Sequence, residues 1–399
     1  MRSVRYLGAA VAVMTIAVVG CSPPGSVSNV SGSECNSPGI TLDQVKLGLV
    51  ISESGGSGAL TSARSGIDAR LSEANAAGGV HGRRISYSWR DDHSSVAEDA
   101  RATEDLVHRD SVFGLLAATS SLGGSLDSLV AEQVPVVGLA ADANWVKQSN
   151  FFSYMYQGSV PVLAGYIRSA GGTKVAVVTP GASPFTAGAA KTVGDEMSLN
   201  GLTYVGSFPY SRGADSPEQV ARNIAASGAN ALVALTIPED LAALMQALRA
   251  AVPNLAVTVA MSGYDRSILP AFGRALAGVS IPVYFRPFEA GGPAIERYRQ
   301  SMATFAPQAP FPEQQFAMNA YIYADIFLRG LELAGPCPTR EGFINALRGV
   351  DNYDAGGLIA PVDLADNLAQ PPMCHSIVQV SPAGDAFQVV RERICADGS

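Results

Sequence analysis

The sequence predicts an α/β protein made of two doubly wound, parallel-sheet lobes. Short apolar runs alternate with helix-spaced stretches, and this happens in two successive blocks of about 120 residues, each a domain's worth of chain. Such alternation means parallel strands with helices on both faces. The chain has 399 residues, 47% of them apolar and 16% charged, enough for two buried cores. A net charge of −8 argues against a nucleic-acid binder, which carries a basic face. Only four histidines are present, which argues against a His-rich metal site.

The first residues read as an address. Arg2 and Arg5 precede an apolar run from Tyr6 to Val19, then Gly20 and Cys21. A positive start, an apolar stretch and a small residue form an export signal over 1–20. The run is shorter than the roughly 20 residues that a spanning helix needs. Val18-Val19-Gly20-Cys21 resembles a bacterial lipobox, which implies a diacylglycerol on the Cys21 thiol. The segment 21–40 is then a tether rich in Ser, Pro and Gly, holding the protein on the outer face of a membrane.

The first block opens with a strand at Val45–Val50, a Ser/Gly loop, and a helix over Ser62–Ala77 that Gly78-Gly79 stops. A strand at Ile85–Trp89 and a helix over Val96–His108 follow. Next come a strand at Val112–Ala117, a helix over Ser121–Glu132 and a strand at Val134–Val137. The second block has strands at Lys174–Val178, Thr203–Ser207, Ala231–Leu235 and Ala256–Met261. Its helices are Ala187–Ser198, Pro217–Ser227 and Pro238–Ala251. A strand at Val279–Tyr284 leads into Phe285-Arg286-Pro287-Phe288, a crossing between lobes in which Arg286 makes a surface or hinge ion pair. A long helix covers Gln314–Leu333. Cys374–Val380 and Ala386–Val390 flank a Ser-Pro-Ala-Gly-Asp turn, a hairpin pattern.

Asn75-Ala76-Ala77-Gly78-Gly79-Val80-His81-Gly82-Arg83-Arg84-Ile85, followed by Asp91-Asp92, resembles the start of the type I periplasmic solute-binding proteins. That family includes the leucine/isoleucine/valine binders and the amide and urea binders. Phe113–Ser121, Val134–Val137, Gly172–Val178 and Ala320-Tyr321 match it further in family order, so the resemblance spans about 44–392. It implies two Rossmann-like lobes joined by three hinge crossings. Lobe 1 would comprise 41–156 and 287–372, and lobe 2 157–286 and 373–399. Ligand would bind in the cleft between them and be gripped by hinge closure, without chemistry and without a cofactor.

Ser57 and Ala59 in the first loop form a flexible wall of the cleft. Ala118, Thr119 and Ser120 sit at the end of the third strand and open a helix, where hydroxyls and helix N–H groups suit a carboxylate or carbonyl oxygen. The resemblance matches Ala118 and Thr119 to ligand-oxygen positions. It adds Ala141 and Asp142 after the fourth. In lobe 2 it points to Phe185, Ile237 and Ser262, and Tyr264 joins Phe185 and Ile237 in a wall of low polarity. Ser262 stands where amino-acid binders keep an acidic residue, a departure that leaves the solute open among amino acids, amides and related carboxylates. Asp142 or Asp265 is a substitute acid. Gly55-Gly56-Ser57-Gly58 lacks the Gly-Lys-Ser/Thr ending of a phosphate loop.

Four cysteines follow Cys21, an even number suited to two disulfides in an exported chain. Within the implied fold, Cys35 before the first strand meets Cys337 after the long helix, and Cys374 meets Cys395 at the hairpin's open end. Catalysis finds little support. His81, His93, His108 and His375 are scattered and read as surface residues, and adjacent Asp91 and Asp92 read as turn or capping carboxylates. The function implied is a lipid-anchored, monomeric binding protein that serves the permease and ATPase of an ABC importer. The alternative is an extracellular sensor that signals through a partner protein.

Overall fold

The computed structural model describes residues 35–54, 59–140, 143–155, 159–182, 184–365 and 374–396. A first sheet is built from β1 (Gln44–Ile51), β2 (Arg84–Asp91), β3 (Leu115–Ala118), β4 (Val136–Gly138) and β5 (Phe151–Phe152). All pairings are parallel, in the order β2-β1-β3-β4-β5. The strands are connected by α1 (Ala63–Ala76), α2 (Val96–Glu104) and α3 (Leu126–Ala131). β3 and β4 are buried along their whole length, as the covered strands of a parallel sheet must be.

The chain then runs through α4 (Val160–Ser169), β6 (Lys174–Pro180), α5 (Pro184–Leu199), β7 (Thr203–Tyr210) and α6 (Pro217–Ala226). It continues through β8 (Ala231–Ala234), α7 (Pro238–Ala251), β9 (Val257–Ala260), α8 (Leu269–Leu276) and β10 (Ser280–Val283). Next come α9 (Pro293–Phe305), α10 (Gln315–Ala334) and α11 (Arg340–Arg348), and the hairpin β11 (Cys374–Val380) and β12 (Phe387–Cys395). The second sheet has the order β12-β11-β10-β9-β8-β6-β7, parallel except for the hairpin. α9 and α10 pack on α1, and α10 also packs on α11, β3 and β4, so this stretch returns to the first sheet.

Local chemistry explains the helix starts. Ser95, Ser159, Ser216 and Thr339 each accept a hydrogen bond from the backbone N–H three residues on, satisfying a donor that the helix cannot pair internally. α1 stops at Gly78-Gly79, both with positive φ, and a Cβ on Gly79 would lie 1.9 Å from the Arg83 carbonyl oxygen. Two expected helices are shorter than their patterns. Val96–His108 is α-helical only to Glu104, then closes in a wider turn over Asp105–Arg109. Ser121–Glu132 is a tight turn at Leu122–Gly124 followed by α3; between them Ser125, with φ −112°, donates its hydroxyl to Asp99 (2.7 Å).

His375 corrects the surface reading. Only 5% of it is exposed, because β11 lies inside the second sheet between β10 and β12. Its ring packs 4.8 Å from Tyr284, and neither ring nitrogen has a hydrogen-bond partner. Burial lowers its pKa to about 4.

Cys35 is bonded to Cys337, and Cys374 to Cys395. The second bridge closes the end of the hairpin, where Cys374 pairs with Cys395 in register. Replacing Cys374 and Cys395 together by serine should lower unfolding free energy by about 2–4 kcal/mol, through the freer unfolded chain. Urea titration of the variant against the parent measures this, and an unchanged midpoint would refute it.

Candidate functional site

Each sheet reverses its winding once. From β1 the chain passes through α1 to β2 on one side, then through α2 to β3 on the other. In the second sheet the reversal falls between β6 and β8. At such a reversal the loops at the carboxyl ends of the strands splay apart and leave a crevice.

A cavity of roughly 200 Å³ lies at these strand ends. Thr61 and Ser62 border it from the start of α1, and Pro238 and Glu239 from the start of α7. Ser262, Gly263, Tyr264 and Asp265 come from the loop after β9, and Gln314 and Gln315 from the start of α10. Three helices thus begin at one hollow. None of their flanking residues, Ser62, Ile237 and Gln314, makes a side-chain cap bond. The first N–H of α10, that of Gln315, is taken by the Tyr264 carbonyl, and α7 opens on Pro238, which has none, so it is the positive ends of the helix dipoles that favour an anionic or carbonyl oxygen here.

The side chains supply the opposite polarity. Glu239 and Asp265 are the charged residues among the described lining, which includes no Lys or Arg. Asp265 is oriented by the Ser267 N–H (2.7 Å) and the Gln314 amide (2.8 Å). Gln315 is 9% exposed, and its buried side-chain oxygen has no partner.

The same segments tie the two sheets together. The Gln315 N–H donates to the Tyr264 carbonyl (2.9 Å), and Arg266 meets Glu313 (2.6 Å) and Glu289 (3.1 Å). Glu313 also binds Arg299 of α9 at 2.6 Å. This chain of charges runs from the loop after β9 to the helices of the first sheet.

Several expected contact residues are placed differently. Thr119 is fully buried. Its hydroxyl donates to Asp92 and accepts from Ser52 (3.1 Å) and the Ser121 N–H (2.8 Å). With its oxygen so engaged, it shapes the loop rather than offering a hydroxyl to the cleft. Ala118 is buried at the end of β3, and its carbonyl accepts the Ser52 N–H, whereas Ser120 is exposed. Tyr264 touches the cavity but is 1% exposed; its phenol donates to Glu289 and accepts the Phe288 N–H. Stacked on Phe285 and Phe288, it is mainly a core residue. Ser262 lines the cavity, and Ile237 directly precedes Pro238, which also lines it. Cys21, Ser57, Ala141 and Asp142 lie outside the described residues, as do the side chains of Ala59 and Phe185. Thr61, Ser62, Glu239, Gln314 and Gln315 were not anticipated. The available signal was a polar pair opening a strongly apolar helix, Gln314-Gln315.

Asp91 and Asp92 serve turns. Asp91 accepts the N–H groups of Glu53, Ser54 and His93, and Asp92 that of Ser94. Ser54 Oγ lies 2.6 Å from both Asp91 and His93 Nδ1. One ring nitrogen thus meets both groups, whereas a nucleophile relay uses the two nitrogens separately. Among the described residues Arg286 makes no ion pair; it donates to the Gly291 and Ala290 carbonyls across the crossing. Among the described residues no cluster of three His, Cys, Asp or Glu could hold a metal, and no helix is long and apolar enough to cross a membrane.

Residues 44–385 match the family model described as periplasmic binding protein. The chain belongs to that family. Solved periplasmic binding proteins share the fold at low identity. A fatty acid ABC transporter substrate-binding protein from Thermomonospora curvata has a TM-score of 0.77 at 19% identity, covering 90% of this chain and 94% of its own. The branched-chain amino acid transporter substrate-binding protein LivJ from Streptococcus pneumoniae, in complex with isoleucine, has a TM-score of 0.71 at 18% identity, covering 88% and 100%. A solute-binding protein from R. palustris, in complex with benzoate, has 0.71 at 15%, covering 87% and 96%. Among curated proteins none matches the sequence.

Proposed function

We propose that this periplasmic binding protein is the solute-capturing component of an ABC importer. Lipid on Cys21 holds it at the outer face of the membrane, where it delivers to a permease and its ATPase as a monomer. Lobe 1 (41–156 and 287–372) and lobe 2 (157–286 and 373–399) close on the solute about their crossings. The observation that carries this reading is the cavity at the strand ends, where the starts of α1, α7 and α10 meet the carboxylates of Glu239 and Asp265.

That arrangement suits a small solute with an acceptor at one end and a donor at the other: an amino acid, an amide or a related carboxylate. The acceptor faces the positive ends of the helices, and an ammonium or amide N–H takes Asp265 or Glu239. Asp265 thereby supplies the acid absent at Ser262. The fatty acid, isoleucine and benzoate of the structural relatives are all carboxylates.

A thermal-shift screen over amino acids, amides, urea, short carboxylates, aromatic acids and polyols tests the reading. A solute at 100 times its dissociation constant stabilises the fold by about 2.7 kcal/mol. Asp265→Asn should weaken the best amine-bearing hit by about 1.5–3 kcal/mol, the worth of a charged hydrogen bond. Unchanged affinity in both Asp265→Asn and Gln315→Ala would remove this cavity from the function.

A further inference from the structure

A second cavity lies in the lobe built on the second sheet, away from the one already described. α4 and α5 cover one face of that sheet, over a core that includes Val175, Val177, Val233 and Val259. At the carboxyl ends of β8 and β9 these helices leave a hollow of roughly 240 Å³. Its apolar wall is Val160 and Leu163 of α4, Val193 of α5, Val233 and Leu235 at β8, and Met261 after β9. Four of these six, Val160, Val193, Leu235 and Met261, are only partly buried although they flank a closed core.

The polar groups at the wall are already engaged. Ser159 accepts the Val162 N–H as the cap of α4, the Thr192 hydroxyl donates to the Gly188 carbonyl (3.1 Å), and the Tyr284 phenol is bonded to the Ser159 backbone. Glu196 is the one charged residue of the described lining, and it is acidic. An anionic head group would find a like charge and no cation, and a strongly polar ligand would find no free partner.

Neighbouring residues separate the two hollows. Met261 lines this one and Ser262 the other; Leu235 lines this one and Pro238 the other. In extended chain, consecutive side chains project to opposite sides, so one loop can wall both.

We propose that this hollow is a second small-molecule site, which takes an uncharged apolar group: an aromatic ring or a short alkyl chain. An enclosed apolar cavity of about 150 Å³ accepts benzene; this hollow is partly open to solvent, so a ligand would enter from its mouth. The volume here leaves room for a ring with a substituent, and the pliable Met261 adapts the wall to its shape. The site is independent of the polar solute proposed above.

Toluene is the probe, added to the full chain and followed by thermal shift and by titration. Toluene should raise the melting temperature, and benzoate should bind at least tenfold more weakly at this site. Val193→Phe, which fills the hollow, should weaken toluene at least tenfold, while Asp265→Asn should leave its affinity within twofold. No shift up to the solubility limit of toluene would overturn the proposal. So would full affinity in Val193→Phe, or loss of affinity in Asp265→Asn. Should Val193→Phe fail to fold, crystals of the unaltered protein under xenon give the answer: density beside Val233 and Met261 supports the site, and an empty hollow rejects it. A failed screen for polar solutes would sink the importer reading and leave this result standing.

Discussion

Gly66→Ala should destabilise the protein by about 3 kcal/mol or more, the upper range for an overpacked core. Gly66 is in α1, where a Cβ would lie 1.9 Å from the Ala317 carbonyl oxygen and 2.9 Å from the Tyr321 nitrogen, both backbone atoms of α10. No rotamer relieves that clash, so the two helices must move apart. Their separation also strips packing from Ile67 and Leu71, which are buried in the same core. α1 begins just after Ser62 and α10 at Gln315, so the shift reaches the cavity and should weaken solute binding too. Gly188→Ala is the control. Gly188 is helical, and a Cβ there meets nothing within 4 Å. Alanine should therefore stabilise α5 by about 0.5–1 kcal/mol. Urea unfolding of the two variants should show opposite signs; equal midpoints would refute the close-approach argument.

Asp99→Asn should stabilise the protein at pH 8 and give no gain at pH 4. Asp99 is fully buried in α2, with one oxygen on the Ser125 hydroxyl and the other without a partner. Burial, with the charge of Asp92 adding to it, raises its pKa to about 7. The unfolded chain releases this proton near pH 4, so the native state holds the extra proton between about pH 4 and pH 7. Stability must then fall as pH rises through that window, by roughly 4 kcal/mol at most, and level off above it. Asparagine removes the charge but brings an unpaired amide donor that costs about 1–3 kcal/mol, so the net gain at pH 8 is about 1–3 kcal/mol.

His375 works in the other direction. Its native pKa of about 4 lies below the unfolded value, so its contribution is lost as pH falls from about 6.5 towards 4. The two groups offset each other in that interval. Chemical denaturation of Asp99→Asn across pH 4–8 should therefore show a steeper loss at the acidic end than the parent shows. Parallel curves would mean that Asp99 is already ionised in the native state.

The strands and the longest helices were legible because their signals are local. β1, β6, β8 and β9 are short apolar runs between turns, and α10 is a long periodic stretch. α4, α8, α9 and α11 were not assigned. α8 and α11 are under three turns long, and α4, α8 and α9 open on or beside a proline, which reads equally as a turn. His375 reads as exposed from its polar neighbours, and only the insertion of β11 between β10 and β12 buries it. The cavity escaped for a related reason. Ser62 and Gln315 are more than 250 positions apart, and only the packing of α1 on α10 brings their helix starts to one place. Thr119 was picked out correctly as a residue at a strand end. What the sequence conceals is that Asp92, Ser52 and Ser121 have already claimed its oxygen.

The Cys35–Cys337 bond has a mechanical consequence. It spans 302 positions, joining the chain ahead of β1 to the segment that follows α10. A pull on anything upstream of Cys35 is delivered at the crosslink and divided between β1 and the end of α10. Peeling β1 out of its sheet by such a tug would require dragging a 20-residue helix with it. Tension on that upstream segment would thus arrive at a reinforced corner instead of on β1 alone.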